Sequence, residues 1–112
     1  MSKGFGGFPG GGNMQAMLQQ AQKVQKEIEK AQLEIAALEI EGQAGGGAVV
    51  VLINGEYEML KIEIKPEVID PSDREMLQDL IRAAANDART KLLDAKKSRL
   101  AKATGGLPIP GL

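Results

Sequence analysis

The sequence predicts an α+β fold in the order α-β-β-β-α, and three observations carry that prediction. A seam of apolar residues at alternating spacings of three and four follows a glycine-rich start. Between residues 38 and 65 lie three short β-patterned stretches, broken by a glycine loop and an Asn54-Gly55 pair. A second helical pattern then begins after Asp70-Pro71 and stops at Gly105-Gly106. The expected layout is a flexible glycine-rich tail over 1–12, one domain over 13–104 and a Gly/Pro-rich tail over 105–112.

The first helix is read from Met14, Met17, Ala21, Val24, Ile28, Ala31, Ile35 and Leu38, a heptad seam held for more than three heptads. Asn13 is its expected N-cap. Lys23 with Glu27, and Lys30 with Glu34, stand at i,i+4 as opposite charges. About 26 helical residues span roughly 39 Å, whereas a compact domain of this size has a radius of gyration near 13 Å. The helix must therefore overhang its own domain or be covered by a second chain, and a homodimer is expected.

Leu38, Ile40 and Gly42 mark a first strand that ends in the loop 44–47. The run AVVVLI (48–53) is apolar on both phases, the pattern of a central strand covered on both faces. Asn54-Gly55 signals a type I′ hairpin. The return strand, 56–65, alternates Leu60, Ile62 and Ile64 inward with Lys61, Glu63 and Lys65 outward. Tyr57 and Met59 fall in the opposite phase, which predicts a bulge near Met59-Leu60. These stretches make a three-stranded antiparallel meander.

Asp70 is the expected cap of the second helix, with Pro71 at its first position; Ser72 with Glu75 forms an alternative capping box. Leu77, Leu80, Ile81, Ala84, Ala88 and Leu92 form its buried stripe. Of these and the first seam, Met17, Ala21, Val24, Ile28, Ile35, Leu77, Ile81, Ala84 and Ala88 are the expected core or dimer contacts. Asn86-Asp87 sits mid-helix, where polar residues are unfavourable, and is expected either to make an interhelical or dimer hydrogen bond or to stay solvated.

Composition excludes most chemistry. There is no histidine and no cysteine, and the serines are Ser2, Ser72 and Ser98, which leaves no thiolate, imidazole or usual nucleophile–base pair. The carboxylates fall at helical surface spacing rather than in an acid/base pair. No enzymatic activity, metal, cofactor or small-molecule substrate is expected. Gly45-Gly46-Gly47 lacks the Lys-Ser/Thr and helix start of a phosphate loop and reads as a hairpin turn. The start of the chain has no apolar run of a signal peptide, and the run 48–53 is too short to cross a bilayer. A cytoplasmic protein without a membrane partner is expected. Phe5, Phe8 and Tyr57 are the only aromatics, too few for a base-stacking surface.

Charge is sorted along a chain whose net charge is −1. Residues 1–26 hold Lys3, Lys23 and Lys26 and no acid; residues 27–88 hold fourteen acids against five bases; residues 89–102 hold six bases against Asp94. In the predicted topology the first helix runs toward the sheet and the second leaves it, so both distal ends are basic and the sheet end is acidic. An anionic partner follows, and duplex DNA, with a phosphate charge every ~1.7 Å of axis, fits.

The segments GQAGGGAVV (42–50), EMLQDLIRAAANDARTK (75–91) and TGGLPIPGL (104–112) resemble the YbaB/EbfC family of bacterial nucleoid-associated proteins, as do the glutamine-rich helix MQAMLQQAQKVQKEI and the Asn54-Gly55 hairpin. The resemblance covers residues 13–112. It implies an α/β homodimer with a tweezer-like outline that binds double-stranded DNA and sits at the nucleoid. Carried onto this sequence, the expected DNA contacts are Lys23, Lys26, Arg89, Lys91, Lys96, Lys97, Arg99 and Lys102, with Gln19, Gln20 and Gln22 as neutral candidates. The chain is acidic overall, with a pI near 5.5, against a domain pI above ~9 for the usual nucleic-acid binder. A competing reading is a prefoldin-like adaptor or holdase presenting Met14, Met17, Leu18, Leu92, Leu93 and Leu100 on its arms. A third is a structural subunit whose heptad seam recruits another helix.

Overall fold

The computed structural model describes residues 10–106. Its elements are α1 (Gly10–Ala36), β1 (Glu39–Ala44), β2 (Val49–Asn54), β3 (Met59–Ile64), a 3-10 turn (Pro66–Val68) and α2 (Arg74–Ala103). The order is the predicted α-β-β-β-α, with an antiparallel sheet in the order β1-β2-β3. α1 already runs from Gly10, so Asn13 falls inside its first turn instead of capping it. Most of the two expected tails, 1–9 and 107–112, lies outside the described residues.

One face of the sheet carries the core. Val49, Val51 and Ile53 of β2 are buried against Ala84, Ala88 and Leu92 of α2. Small residues on both sides let the backbones approach. A Cβ on Gly42 would come within 3.0 Å of Ala84 O, Ala88 N and Ala88 Cα, all backbone atoms that no rotamer can move. Glycine in β1 and alanines in α2 therefore set the helix-to-sheet distance.

The expectation that β2 is covered on both faces does not hold. Val50 and Leu52 are only half-buried. Their cross-strand neighbours are Gln43 with Glu63 and Glu41 with Lys61, whose long stems screen that face in place of a second layer. β3 differs too. Ile62 and Ile64 stand opposite Val51 and Val49 on the α2 side. α2 lies over β1 and β2, however, and leaves Met59, Leu60 and Ile62 more than 40% exposed.

The predicted bulge is present: Leu52 pairs with Lys61 and Ile53 with Met59, which leaves Leu60 as the extra residue. The turn before it is not type I′. Gly55 is not in the left-handed region, and the residue that is there is Tyr57, at φ 64°. Asn54 organises the turn. Its Oδ1 accepts from Glu56 N (2.8 Å) and Glu58 N (3.0 Å), and Tyr57 N donates to Asn54 O (3.1 Å). This makes a three-residue loop. Gly55 serves a different purpose: a Cβ there would collide with the Ile35 carbonyl, so the hairpin tip packs against the last turn of α1.

Asp73, not Asp70, caps α2, its side chain accepting from Met76 N at 3.2 Å. Asp70 Oδ1 instead accepts from Ser72 N (2.9 Å) and Ser72 Oγ (2.7 Å), which holds its carboxyl below the usual range. The helix ends as expected: Gly106 N donates to Ala101 O and Gly105 N to Lys102 O, with both glycines at positive φ. This is the Schellman arrangement.

α1 overhangs the rest of the molecule. The chain extends 86 Å along its longest axis and has a radius of gyration of 23.1 Å, against ~13 Å for a compact domain of this length. Its seam is buried at Ile35 and Ala31, half-buried at Ile28 and Val24, and exposed at Ala21, Met17 and Met14.

Candidate nucleic-acid interface

α2 rises from the acidic sheet end and meets α1 with its last turns. Glu27, Lys30, Ala31 and Glu34 of α1 share one groove with Arg99, Lys102 and Ala103 of α2. Arg99 Nη1 lies 3.6 Å from Glu34 Oε1. Glu34 thus pairs across helices instead of with Lys30, its expected partner.

The basic block of α2 wraps around the helix rather than forming one stripe. Arg89 faces the hairpin side, in a cleft with Ile53, Tyr57, Met59, Ala85 and Asn86. Lys96, two turns on, holds its Nζ 4.8 Å from the centre of the Tyr57 ring, a cation–π contact. Arg99 and Lys102 face α1, while Lys97 is exposed. Lys91 points the other way: its Nζ is 3.0 Å from Asp87 Oδ2 and donates to Glu41 O at 3.4 Å.

Lys91 therefore belongs to a clamp on the β1 edge. Asp87 Oδ2 also accepts from the backbone N–H of Gln43 at 3.0 Å, which answers the mid-helix Asn86-Asp87 question: Asp87 bonds to an edge strand. The Gln43 amide and then Lys91 stabilise the carboxylate, so its pKa lies below the ordinary 3.8.

On α1, Gln19, Lys23, Lys26 and Lys30 follow spacings of four, three and four and so share one stripe, which runs down to the groove holding Arg99 and Lys102. Gln22 is exposed beside it, and Gln20 lies toward the seam with Met17 and Ala21. Lys30 is the residue the sequence reading missed. Its spacing from Lys26 was the available signal, masked by the i,i+4 match to Glu34. The distal arm itself is not basic, because residues 14–22 carry no charge. The cations gather where the two helices meet, below the tip.

Among the described residues no group of His, Cys, Asp or Glu could hold a metal ion, and no helix is long and apolar enough to cross a membrane. The arrangement offers a cationic collar of Lys23, Lys26, Lys30, Lys96, Lys97, Arg99 and Lys102 around a helix junction.

Comparison with known proteins agrees over nearly the whole chain. The YbaB/EbfC DNA-binding family matches residues 10–107. A nucleoid-associated protein of Alkaliphilus metalliredigens is 50% identical over 110 residues, covering 98% of this chain and 96% of the relative. One from Clostridium acetobutylicum is 51% identical over 109 residues, covering 96% of this chain and 97% of the relative. Another, from Thermoanaerobacter pseudethanolicus, is 49% identical over 107 residues, covering 96% of each. This chain belongs to the YbaB/EbfC DNA-binding family.

Proposed function

We propose that this protein is a nucleoid-associated homodimer that binds double-stranded DNA through phosphate contacts, largely without regard to sequence. The observation that supports the reading is the cationic collar: Lys30, at the foot of the α1 lysine stripe, lines one junction groove with Arg99 and Lys102 of α2, alongside Glu27 and Glu34. Lysines placed around a helix junction, with Tyr57 the single aromatic among the described residues and its ring already held by Lys96, suit backbone neutralisation more than base reading. Lys91 is assigned to the Asp87 clamp and withdrawn from the contact set.

The dimer is supported by β3. This edge strand and the turn before it leave Tyr57, Met59, Leu60 and Ile62 between 41% and 48% exposed, and exposed apolar surface of this kind marks an interaction site. A second copy seated there would present two collars to one duplex.

A gel-shift titration across a salt series tests the reading. For about six phosphate contacts the affinity falls about a thousandfold or more between roughly 50 and 200 mM salt. Replacing Lys96, Lys97 and Lys102 by glutamate lowers the salt slope by about three and weakens all duplexes alike. Salt-insensitive binding, or a triple variant that binds as well as the parent, refutes the phosphate model. Sedimentation of Ile62→Lys tests the dimer, with a monomer expected.

A further inference from the structure

The groove between the two helices is almost charge-balanced, although it lies inside the cationic collar. Lys30, Arg99 and Lys102 line it together with Glu27 and Glu34. The two carboxylates stand one turn either side of Lys30 on α1, and Glu34 Oε1 lies 3.6 Å from Arg99 Nη1. We propose that Glu34, assisted by Glu27, competes with DNA phosphate for the Arg99 guanidinium and so sets how tightly the collar binds. The inference rests on the phosphate-binding reading of the collar and names the residue that limits it.

The ion pair is not what holds the helices together. Ala31 and Ile35 of α1 are buried, and Ala31 shares the groove with Ala103, so apolar contact closes the junction. The Glu34 and Arg99 side chains are 49% and 42% exposed, and an exposed pair contributes little to stability. Both groups are open to a third charge. Duplex DNA presents a phosphate charge every ~1.7 Å of axis, and a guanidinium fork matches phosphate as well as carboxylate. While Glu34 holds it, Arg99 meets that phosphate with its charge already compensated, and the carboxylate repels the phosphate at close range. Lys96 gives the contrast. Its ammonium faces the neutral ring of Tyr57, which leaves the positive charge available to DNA.

The test is a titration of the full-length protein with a random-sequence duplex across a salt series. Removing the competitor frees about one phosphate contact, so Glu34→Gln should tighten binding about fivefold to tenfold at ~0.1 M salt and steepen the salt slope by about 0.9. Glu29 is exposed and turned to the opposite side of α1 from Glu27. Glu29→Gln removes the same charge outside the groove and should change affinity by less than about twofold. Arg99→Gln should weaken the parent about twofold and the Glu34→Gln protein about eightfold, a coupling that net charge alone does not produce. Lys102→Gln, run alongside, reports on the collar itself and should weaken binding about fivefold to tenfold. Equal gains from Glu34→Gln and Glu29→Gln would mean that only net charge matters. Weaker binding by Glu34→Gln would mean that the pair positions Arg99 for phosphate. Either result overturns the proposal, while a weakened Lys102→Gln protein leaves the collar standing. A Lys102→Gln protein that binds like the parent overturns the collar and this inference with it. Circular dichroism of each variant confirms that the helices are intact.

Discussion

Val51 and Val24 carry the same atoms into opposite surroundings. Val51 has no exposed surface and sits between Gly42 and the alanines of α2. Val24 is half-buried on the α1 arm, one turn beyond Glu27, where α1 shares a groove with the end of α2. The two regions they represent differ in packing and in charge. Around Val51 the helix and sheet are locked at backbone distance, and the surface carries most of the acids. Around Val24 residues 14–22 carry no charge at all, and lysines begin at Lys23. A chain with little net charge can thus meet an anionic polymer, because the surface that repels it is gathered at the folded end and the cations at the helix junction.

The comparison can be broken at its packed side first. Leu92→Ala removes a fully buried side chain and should cost about 3–5 kcal/mol in urea unfolding. Gly42→Ala should cost about 3 kcal/mol, because the new methyl meets backbone on α2 and the helix must lift off β1. The pair of valines gives the cleanest contrast. Val51→Ala should lose about 2–3 kcal/mol and Val24→Ala under about 1 kcal/mol by the same assay. Equal losses would show that the arm is as tightly packed as the core.

The smallest effect is the most specific. Asp87 has a lowered pKa in the folded state, so its contribution is present above its unfolded value near 3.8 and is lost as pH falls through the folded value. Asp87→Asn should flatten the acid limb of a urea-midpoint profile and leave the profile above pH 6 parallel to that of the parent. An unchanged acid limb would remove the clamp from the account.

Much of this was legible in the sequence because it is written in short-range patterns. The seam spacing, the bulge at Met59-Leu60, the stripe of α2 and the Gly105-Gly106 stop all depend on neighbours within a turn or a strand pair. The errors came from residues with two competent uses. Asn54-Gly55 read as a type I′ turn, but Gly55 is needed for contact with Ile35, which lies twenty residues away. Asp70 read as a cap, but Ser72 occupies its oxygen one step before the helix begins. Among the expected DNA contacts, Lys91 read as one more cation of the basic block. Its carboxylate partner four residues earlier was visible, but the Gln43 amide that fixes that carboxylate was not.

By itself the sequence determined the order of elements, the sheet meander and the sorting of charge along the chain, since each follows from residue spacing and local conformational preference. Tertiary structure decided which faces are covered. It set α2 over β1 and β2 but not β3, left the α1 arm open, and gathered Lys23, Lys26 and Lys30 toward Arg99 and Lys102. Those outcomes depend on how closely two backbones approach at Gly42 and Gly55. That distance is a property of both elements together and is encoded in neither alone.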